Sequence, residues 1–237
     1  MTQYKGFLIR VNLGDTGTIP RSGTFTACPD ILVAGQKALS TTEMIQNYNK
    51  SYNDPLKENF ANNLYVRAKN TTSGDLTKNV YLFQVPQHLF LTPNVWYNES
   101  NLVKYNKVSQ DPNHPGQTIT TPQNFQTITA PANTITATQA FSWTPETTEH
   151  HCMVVVVDDN FDAVQQQFPP NISKSTNDYA QWIYSNGNIG WHNVSIQAVD
   201  PRNVYQRTVP FLQPFGDNTF TCSIQVKNAP VGATIGF

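Results

Sequence analysis

The stretch FSWTPETTEHHCMVVVVDD, residues 141–159, decides the fold class. Residues 141–144 alternate apolar and polar side chains, which is the pattern of a strand with one buried face, and Pro145 ends that strand. After a short polar connection, residues 153–157 are apolar on both faces and are followed by two carboxylates. Such a run is typical of a central strand in a two-layer β-sandwich.

The rest of the chain repeats this pattern of short strands separated by turn residues. The sequence therefore predicts an all-β, immunoglobulin-like antiparallel β-sandwich with a few short helices and long polar loops. The predicted strands are residues 4–13, 31–34, 64–69, 79–85, 189–199, 204–212, 220–226 and 231–237.

Short helices and loops are predicted between these strands. Ser40-Thr-Thr-Glu43 has the pattern of a capping box, and Asp54-Pro55 is expected to cap and open a helical turn. Residues 177–184 are predicted to form a helical packing element, and residues 163–175 a loop. The nearly uncharged segment 107–134 is expected to be a long surface loop or an extended edge segment.

The domain organisation has two interpretations. Residues 1–60 are expected to form N-terminal strands or an arm packed on a sandwich formed by residues 61–237. The alternative is a single domain over residues 1–237, which is long enough to bury a sizeable core.

The composition favours a β protein that does not bind nucleic acid. Charged residues make up 13% of the chain, against about 25% in an average protein, so amides and hydroxyls must supply its polar surface. The net charge of −1 predicts no nucleic-acid partner. Weak charge repulsion also makes self-association easier.

The three cysteines are predicted to be structural. Cys152 shares a strand face with apolar residues, and so does Cys222, which favours buried free thiols; Cys28 is the third cysteine. A disulfide between Cys152 and Cys222 is the alternative.

The sequence contains no strong catalytic or metal-binding motif. It lacks a nucleophile elbow, a zinc-protease motif and a phosphate-binding glycine loop, so we expect no cofactor and no enzymatic activity. In an extended strand His150 and Cys152 share one face while His151 points away, which leaves too few ligands for zinc.

Calcium is the one cofactor that the sequence suggests. Asp158, Asn160 and Asp162 place oxygen atoms at alternate positions after the central strand, as at the start of a calcium loop. The glycine and the bidentate glutamate of the standard loop are missing. The alternative is a solvated turn whose carboxylates cap nearby amides.

Aromatic residues beside amides are candidates for a binding surface. Flat rings next to amide groups are used both by sugar-binding sites and by protein interfaces. The alternative is that these rings fill the core and corners of the sandwich. The candidates are Trp96, Tyr97, Trp182, Tyr184 and Trp191.

Four segments resemble bacterial immunoglobulin-like domains of the CARDB type. They are LYVRAKN (64–70), FSWTP (141–145) with CMVVVV (152–157), NGNIGWHNV (186–194) and CPDIL (28–32). Families of this kind mostly serve as adhesion, scaffold or assembly modules, so the resemblance implies binding or structure without catalysis.

These observations lead to the hypothesis of a non-enzymatic structural protein. It would self-assemble or attach to another protein through strand edges and loops. The main alternative is a glycan-binding or toxin-like module acting on a cell surface, and a further one is a metal-dependent hydrolase. The sequence shows no signal peptide and no transmembrane run, so we expect synthesis in the cytoplasm, with release by a non-classical route as an alternative.

Overall fold

The computed structural model describes residues 1–86, 98–167 and 176–198. The predicted strands at residues 204–212, 220–226 and 231–237 lie outside these ranges. Within the described ranges the strands are β1 (Thr2–Gln3), β2 (Phe7–Leu8), β3 (Thr18–Ile19), β4 (Ile31–Gly35), β5 (Leu56–Lys57), β6 (Asn62–Asn70), β7 (Leu76–Pro86), β8 (Lys104–Gln110), β9 (Thr118–Gln123), β10 (Gln126–Ala130), β11 (Ile135–Ala137), β12 (Phe141–Trp143), β13 (His151–Asp158), β14 (Ile189–Val194) and β15 (Ile196–Gln197). The helices are α1 (Thr41–Gln46), α2 (Phe161–Gln167), α3 (Thr176–Ser185) and a 3-10 turn at Glu99–Asn101.

The protein is all-β, and two antiparallel sheets dominate it. The first sheet has the strand order β10-β7-β13-β14. The second has the order β11-β6-β12-β8-β9, and β2 and β4 also pair with β6. Side chains of β6, β7, β12 and β13 share one buried apolar cluster, so the two sheets enclose a sandwich core.

Strand β13 is central, as its sequence predicts. It pairs with β7 on one side and β14 on the other. Met153, Val155 and Val157 belong to the cluster between the sheets, whereas Val154 and Val156 belong to a second cluster. Helices α2 and α3 contribute to that second cluster and cover the outer face of the first sheet. Because both faces of β13 are covered, its run is apolar throughout.

Two predictions about helices are confirmed. The Ser40 side chain caps α1 by accepting a hydrogen bond from the Glu43 N–H at 3.1 Å. The predicted helical element at residues 177–184 is α3, whose Tyr179 and Ile183 are fully buried.

Two other predictions, a helical turn at Asp54-Pro55 and a loop from residue 163, are wrong. Asp54 and Pro55 open no helix: the Asp54 N–H bonds to the Val33 carbonyl, which holds the chain extended before β5. Residues 163–167 are not loop but part of α2, because Asn160 caps that helix by accepting from the Ala163 N–H at 2.9 Å. The rest of that predicted loop, 168–175, lies outside the described residues.

The first predicted strand, at residues 4–13, is much shorter in the structure. Only β2 is regular, and Arg10 turns towards a buried carboxylate instead. The Arg10 guanidinium contacts both carboxylate oxygens of Asp30, at 2.9 and 2.6 Å, while its backbone N–H donates to the same group. These contacts divert residues 9–11 from strand pairing. Whether residues 1–60 and 61–237 are separate domains stays a prediction.

The segment 107–134 is an extended edge, the second of the two predicted forms. It contains most of β8, all of β9, and β10. Residues 111–117 form the turn of the β8–β9 hairpin, in which the Asp111 N–H donates to the Gln117 carbonyl at 2.9 Å. The chain then passes from β9 in the second sheet to β10 in the first.

Candidate functional site

The calcium candidate residues have protein partners. Asp158 accepts a hydrogen bond from the Gln167 amide, and Asn160 caps α2. Asp162 lies in the first turn of α2, where a negative charge is favourable. Within residues 1–86, 98–167 and 176–198, no group of three or more acidic, histidine or cysteine side chains is placed to hold a metal ion. Calcium binding at this turn stays a prediction of the sequence that this geometry does not support.

Two of the predicted surface aromatics are core residues, which corrects that part of the prediction. Trp191 has no exposed surface and Trp182 is 7% exposed. Both belong to the cluster on the outer face of the first sheet, because α3 packs there. Their rings therefore offer no face to a ligand at the surface.

Of the remaining aromatic candidates, the structure describes only Tyr184. Tyr184 is partly exposed; its hydroxyl donates to the Gly23 carbonyl, and its ring meets Phe25 edge-on. Trp96 and Tyr97 lie outside the described residues.

The thiols of Cys28 and Cys152 are free and buried, in agreement with the favoured prediction. Burial raises the pKa of each thiol to about 12. At neutral pH they are protonated, and a protonated thiol is a poor nucleophile. Cys222 lies outside the described ranges, but the free Cys152 thiol argues against the alternative disulfide between Cys152 and Cys222.

The three consecutive metal-capable residues at 150–152 separate as expected for a strand. His151 is buried and meets Trp143 edge-on with ring centroids 5.0 Å apart. On the other face the Cys152 sulfur lies 3.9 Å from the His150 Nε2 atom and 3.2 Å from the Asn193 Oδ1 atom. Only two of the three side chains share a face.

Two sheet edges are covered by other parts of the chain. The outer edge of β14 bonds to residues 26–28: the Cys28 N–H donates to the Trp191 carbonyl and the Asn193 N–H to the Thr26 carbonyl, each at 2.9 Å. The outer edge of β4 bonds to residues 52–54 through Val33. Neither edge can accept another strand without unfolding these segments.

The β8–β9 hairpin ends the second sheet at an edge with which no described residue pairs. Strand β8 pairs with β12 only at Lys104 and Tyr105, and beyond that point β8 and β9 pair only with each other among the described strands. Residues 112–122 are all exposed, and β9 stands at the end of its sheet. Val108 is 60% and Ile119 40% exposed, which are large values for apolar side chains. We call residues 106–122 the projecting hairpin.

The outward backbone groups of β9 follow from the register. The Asp111–Gln117 hydrogen bond lies on the same register as the pairs Ser109↔Ile119 and Gln110↔Thr118. Bonded and non-bonded pairs alternate in an antiparallel ladder, so the bonded pairs include Ile119 and the non-bonded pairs include Thr118 and Thr120. The N–H and C=O groups of Thr118 and Thr120 therefore point away from β8.

Pro122 is the one edge-protecting residue of β9, and the rest of the strand has no charge to protect it. Pro122, which has no N–H, belongs to the outward-facing set, as proline on an edge strand should. Strand β9 contains no charged residue, although natural edges are usually blunted by lysine or by a covering segment. The low charge of residues 107–134 was the signal in the sequence that pointed to this place.

A groove lies beside the projecting hairpin. It has a volume of about 490 Å³, and β8, β10 and β11 contribute to its walls. Tyr105 and Phe125 supply aromatic rings, and the other lining groups are mostly glutamine amides and threonine hydroxyls, with Lys107 as the charged residue. The Gln126 side chain closes one wall by bonding to both the N–H (2.8 Å) and the carbonyl (3.0 Å) of Gln139.

Comparisons with known proteins leave the family unassigned. No family model matches the chain, and no curated protein matches it. Among solved structures, the crystal structure of a CARDB domain from Pyrococcus furiosus, described as a complex with di-metal ions, is similar at 12% identity and a TM-score of 0.34, over 62% of this chain and 87% of that one. A solution NMR structure of the same domain is similar at 14% identity and a TM-score of 0.30, over 72% of this chain and 97% of that one. At these scores the superposition is partial, and the all-β fold rests on the strand pairing itself.

Across the described ranges, no helix has the length and apolarity needed to cross a membrane.

Proposed function

We propose that this protein is a non-catalytic association module, which assembles with other protein chains through the open edge of its projecting hairpin. The observation that carries the proposal is the contrast among the sheet edges. Residues of the same chain cover β4 and β14, whereas no described residue pairs with the outer edge of β9, and β9 carries no charge. An uncovered edge can bind another strand by continuing the ladder of backbone hydrogen bonds.

The chemistry of the other candidate residues supports a structural role. The described thiols are buried with raised pKa values, and the acidic turn after β13 is engaged in capping and hydrogen bonding. A protein that works by association needs a rigid scaffold and an exposed adhesive element. The sandwich core and the projecting hairpin correspond to these two parts.

Removing the hairpin tests the proposal. Replacing residues 106–122 with Asn-Gly leaves Tyr105 and Gln123 as the last pair of a two-residue hairpin, which is a favoured turn. We expect the wild-type protein to form oligomers in sedimentation equilibrium experiments and the shortened protein to be monomeric with an unchanged melting temperature. A wild-type protein that stays monomeric up to high micromolar concentration would contradict the proposal.

A second candidate function, glycan binding, is favoured by the groove alone. Its volume is within the usual range for ligand sites, about 300–1,000 Å³. Aromatic rings with amides and hydroxyls, and little charge, suit an uncharged polyhydroxylated ligand. Trp182 and Trp191 have no part in this candidate because they are buried.

A matched pair of variants tests glycan binding. Thr77 and Thr129 face each other across β7 and β10 and their hydroxyls lie 2.9 Å apart, but only Thr129 lines the groove. If the groove binds a glycan, Thr129→Tyr should abolish signals on a glycan array and Thr77→Tyr should keep them. An array without any signal for the wild-type protein would remove this candidate.

A further inference from the structure

The outward groups of β9 are self-complementary, and this decides what partner the edge fits best. Thr118 and Thr120 each present one N–H and one C=O at the outer edge, with Ile119 between them. An antiparallel copy of the same segment presents the same groups in reverse order. Two copies related by a two-fold axis can therefore satisfy each other's outward backbone N–H and C=O groups, as in an isologous interface.

We propose that the protein forms a two-fold dimer in which β9 of one copy pairs antiparallel with β9 of a second copy, centred on Ile119. This inference rests on the proposed function and names its partner and register. Thr118 of each copy then faces Thr120 of the other, and each of these two bonded pairs exchanges two N–H···O bonds. The second sheet continues from one copy into the other.

Pro122 selects this register over its neighbours. With the axis at Thr120, Thr118 would face Pro122 of the second copy, whose nitrogen cannot donate to the Thr118 carbonyl. With the axis at Thr121, Thr120 would face Pro122 and lose the same donor. Of these three registers, the one centred on Ile119 satisfies all four outward groups of Thr118 and Thr120 in each copy.

The side chains favour the same register. Ile119 is 40% exposed and would lie directly opposite Ile119 of the second copy, in a non-bonded pair where side chains come closest. On the other face, threonines would oppose threonines, a favourable cross-strand pair of β-branched residues. Because β9 carries no charge, no like charges meet within the paired segment.

The size of the contact predicts a weak dimer. Two paired strands of six residues bury less accessible surface than a typical stable interface, which buries at least about 1,200 Å². We therefore expect a dimer that dissociates on dilution, and one that persists in salt because no ion pair holds it.

Two lysine substitutions test the register. Ile119→Lys places two ammonium groups opposite each other at the axis and should give a monomer at concentrations where the wild-type protein is dimeric. Val108→Lys is the matched control: it changes an equally apolar and more exposed residue (60%) of the same hairpin, on β8 and on the other face of the sheet. It should leave the dimer intact.

A third variant tests the backbone contact. Thr120→Pro removes an outward N–H without removing a bond to β8, so it should dissociate the dimer while the melting temperature stays close to that of the wild-type protein. Sedimentation equilibrium measures all three variants. If removing residues 106–122 dissociates the dimer but Ile119→Lys and Thr120→Pro do not, the register is wrong and the proposed function stands. If the wild-type protein is a monomer, both fall.

Discussion

At the level of single residues, buried ion pairs attach the N-terminal segment to the second sheet. Asp30 has no exposed surface and forms a bidentate ion pair with Arg10. The Arg67 Nε atom lies 3.5 Å from the same carboxylate. Arg67 also donates to four backbone carbonyls, those of Pro29, Met44, Asn47 and Lys50. One carboxylate and two guanidinium groups thus fix the position of α1 and the chain that follows it.

Asp30→Asn should destabilise the protein strongly. Removing the carboxylate charge leaves two buried guanidinium groups without their counter-charge, which typically costs about 3–5 kcal/mol. Urea unfolding of the variant measures the loss. Asp54→Asn is the control, because its ion pair with Lys37 is largely exposed and solvent screens it, so its loss should change stability little. Equal losses in both variants would contradict the role given to burial.

His192 should make stability depend on pH. Burial lowers its pKa below the ordinary value, and its ring nitrogens contact the Cys28 carbonyl (2.7 Å) and the Asn53 Oδ1 atom (3.2 Å). At this position the unfolded chain binds a proton more readily than the folded one. The contribution of neutral His192 to the free energy of unfolding is therefore fully present above about pH 6.5 and is lost as the pH falls below that value. Melting temperatures between pH 5 and 8 measure this slope. His192→Gln should flatten it and His114→Gln, on the exposed hairpin turn, should not.

At the level of elements, the close approach of the N-terminal segment sets the packing around β14. A Cβ atom on Gly190 would lie 2.5 Å from Ile9 Cγ2 and 2.7 Å from the Cys28 sulfur. Only glycine leaves room for residues 9 and 28 to lie against the first sheet. The N-terminal segment and β14 therefore depend on each other.

Gly190→Ala should cost about 1–3 kcal/mol, as overpacking of a close-packed core does. Gly74→Ala is the matched control, since a Cβ atom there meets nothing within 4 Å. Chemical denaturation compares the two variants with the wild-type protein. A neutral Gly190→Ala would mean that Ile9 or Cys28 moves freely, contrary to their burial.

At the level of the whole molecule, two of the core clusters bury a thiol each. Cys28 belongs to the cluster between the sheets and Cys152 to the cluster beneath α2 and α3. A reagent reaches either sulfur only when the surrounding layer opens. The thiols therefore report on the stability of each layer.

Alkylation of Cys28 and Cys152 in the native protein should be slow and should accelerate at the unfolding midpoint. Burial raises both pKa values to about 12, so little thiolate exists at neutral pH even apart from access. Peptide mass spectrometry after timed labelling assigns the rate to each residue. Fast native labelling of Cys152 alone would show that the helical layer opens independently of the sandwich.

The periodicity of side chains, which is local, sufficed to predict several of the strands. Alternation predicted β6, a run apolar on both faces predicted the central position of β13, and the Ser40 cap predicted α1. Helix α2 was missed because a single asparagine cap starts it, and the helical turn at Asp54 failed because the chain bonds to β4. Both outcomes depend on a contact that the local pattern does not contain.

The sequence by itself determined an all-β chain with a low-charge edge segment. Only the tertiary structure decided which edges other parts of the chain cover and which aromatic rings reach the surface. Coverage of β4 and β14 comes from hydrogen bonds between residues far apart in sequence, and burial of Trp191 comes from the docking of α3. Side-chain periodicity specifies the faces of a strand, but the occupants of its two edges are set by long-range pairing.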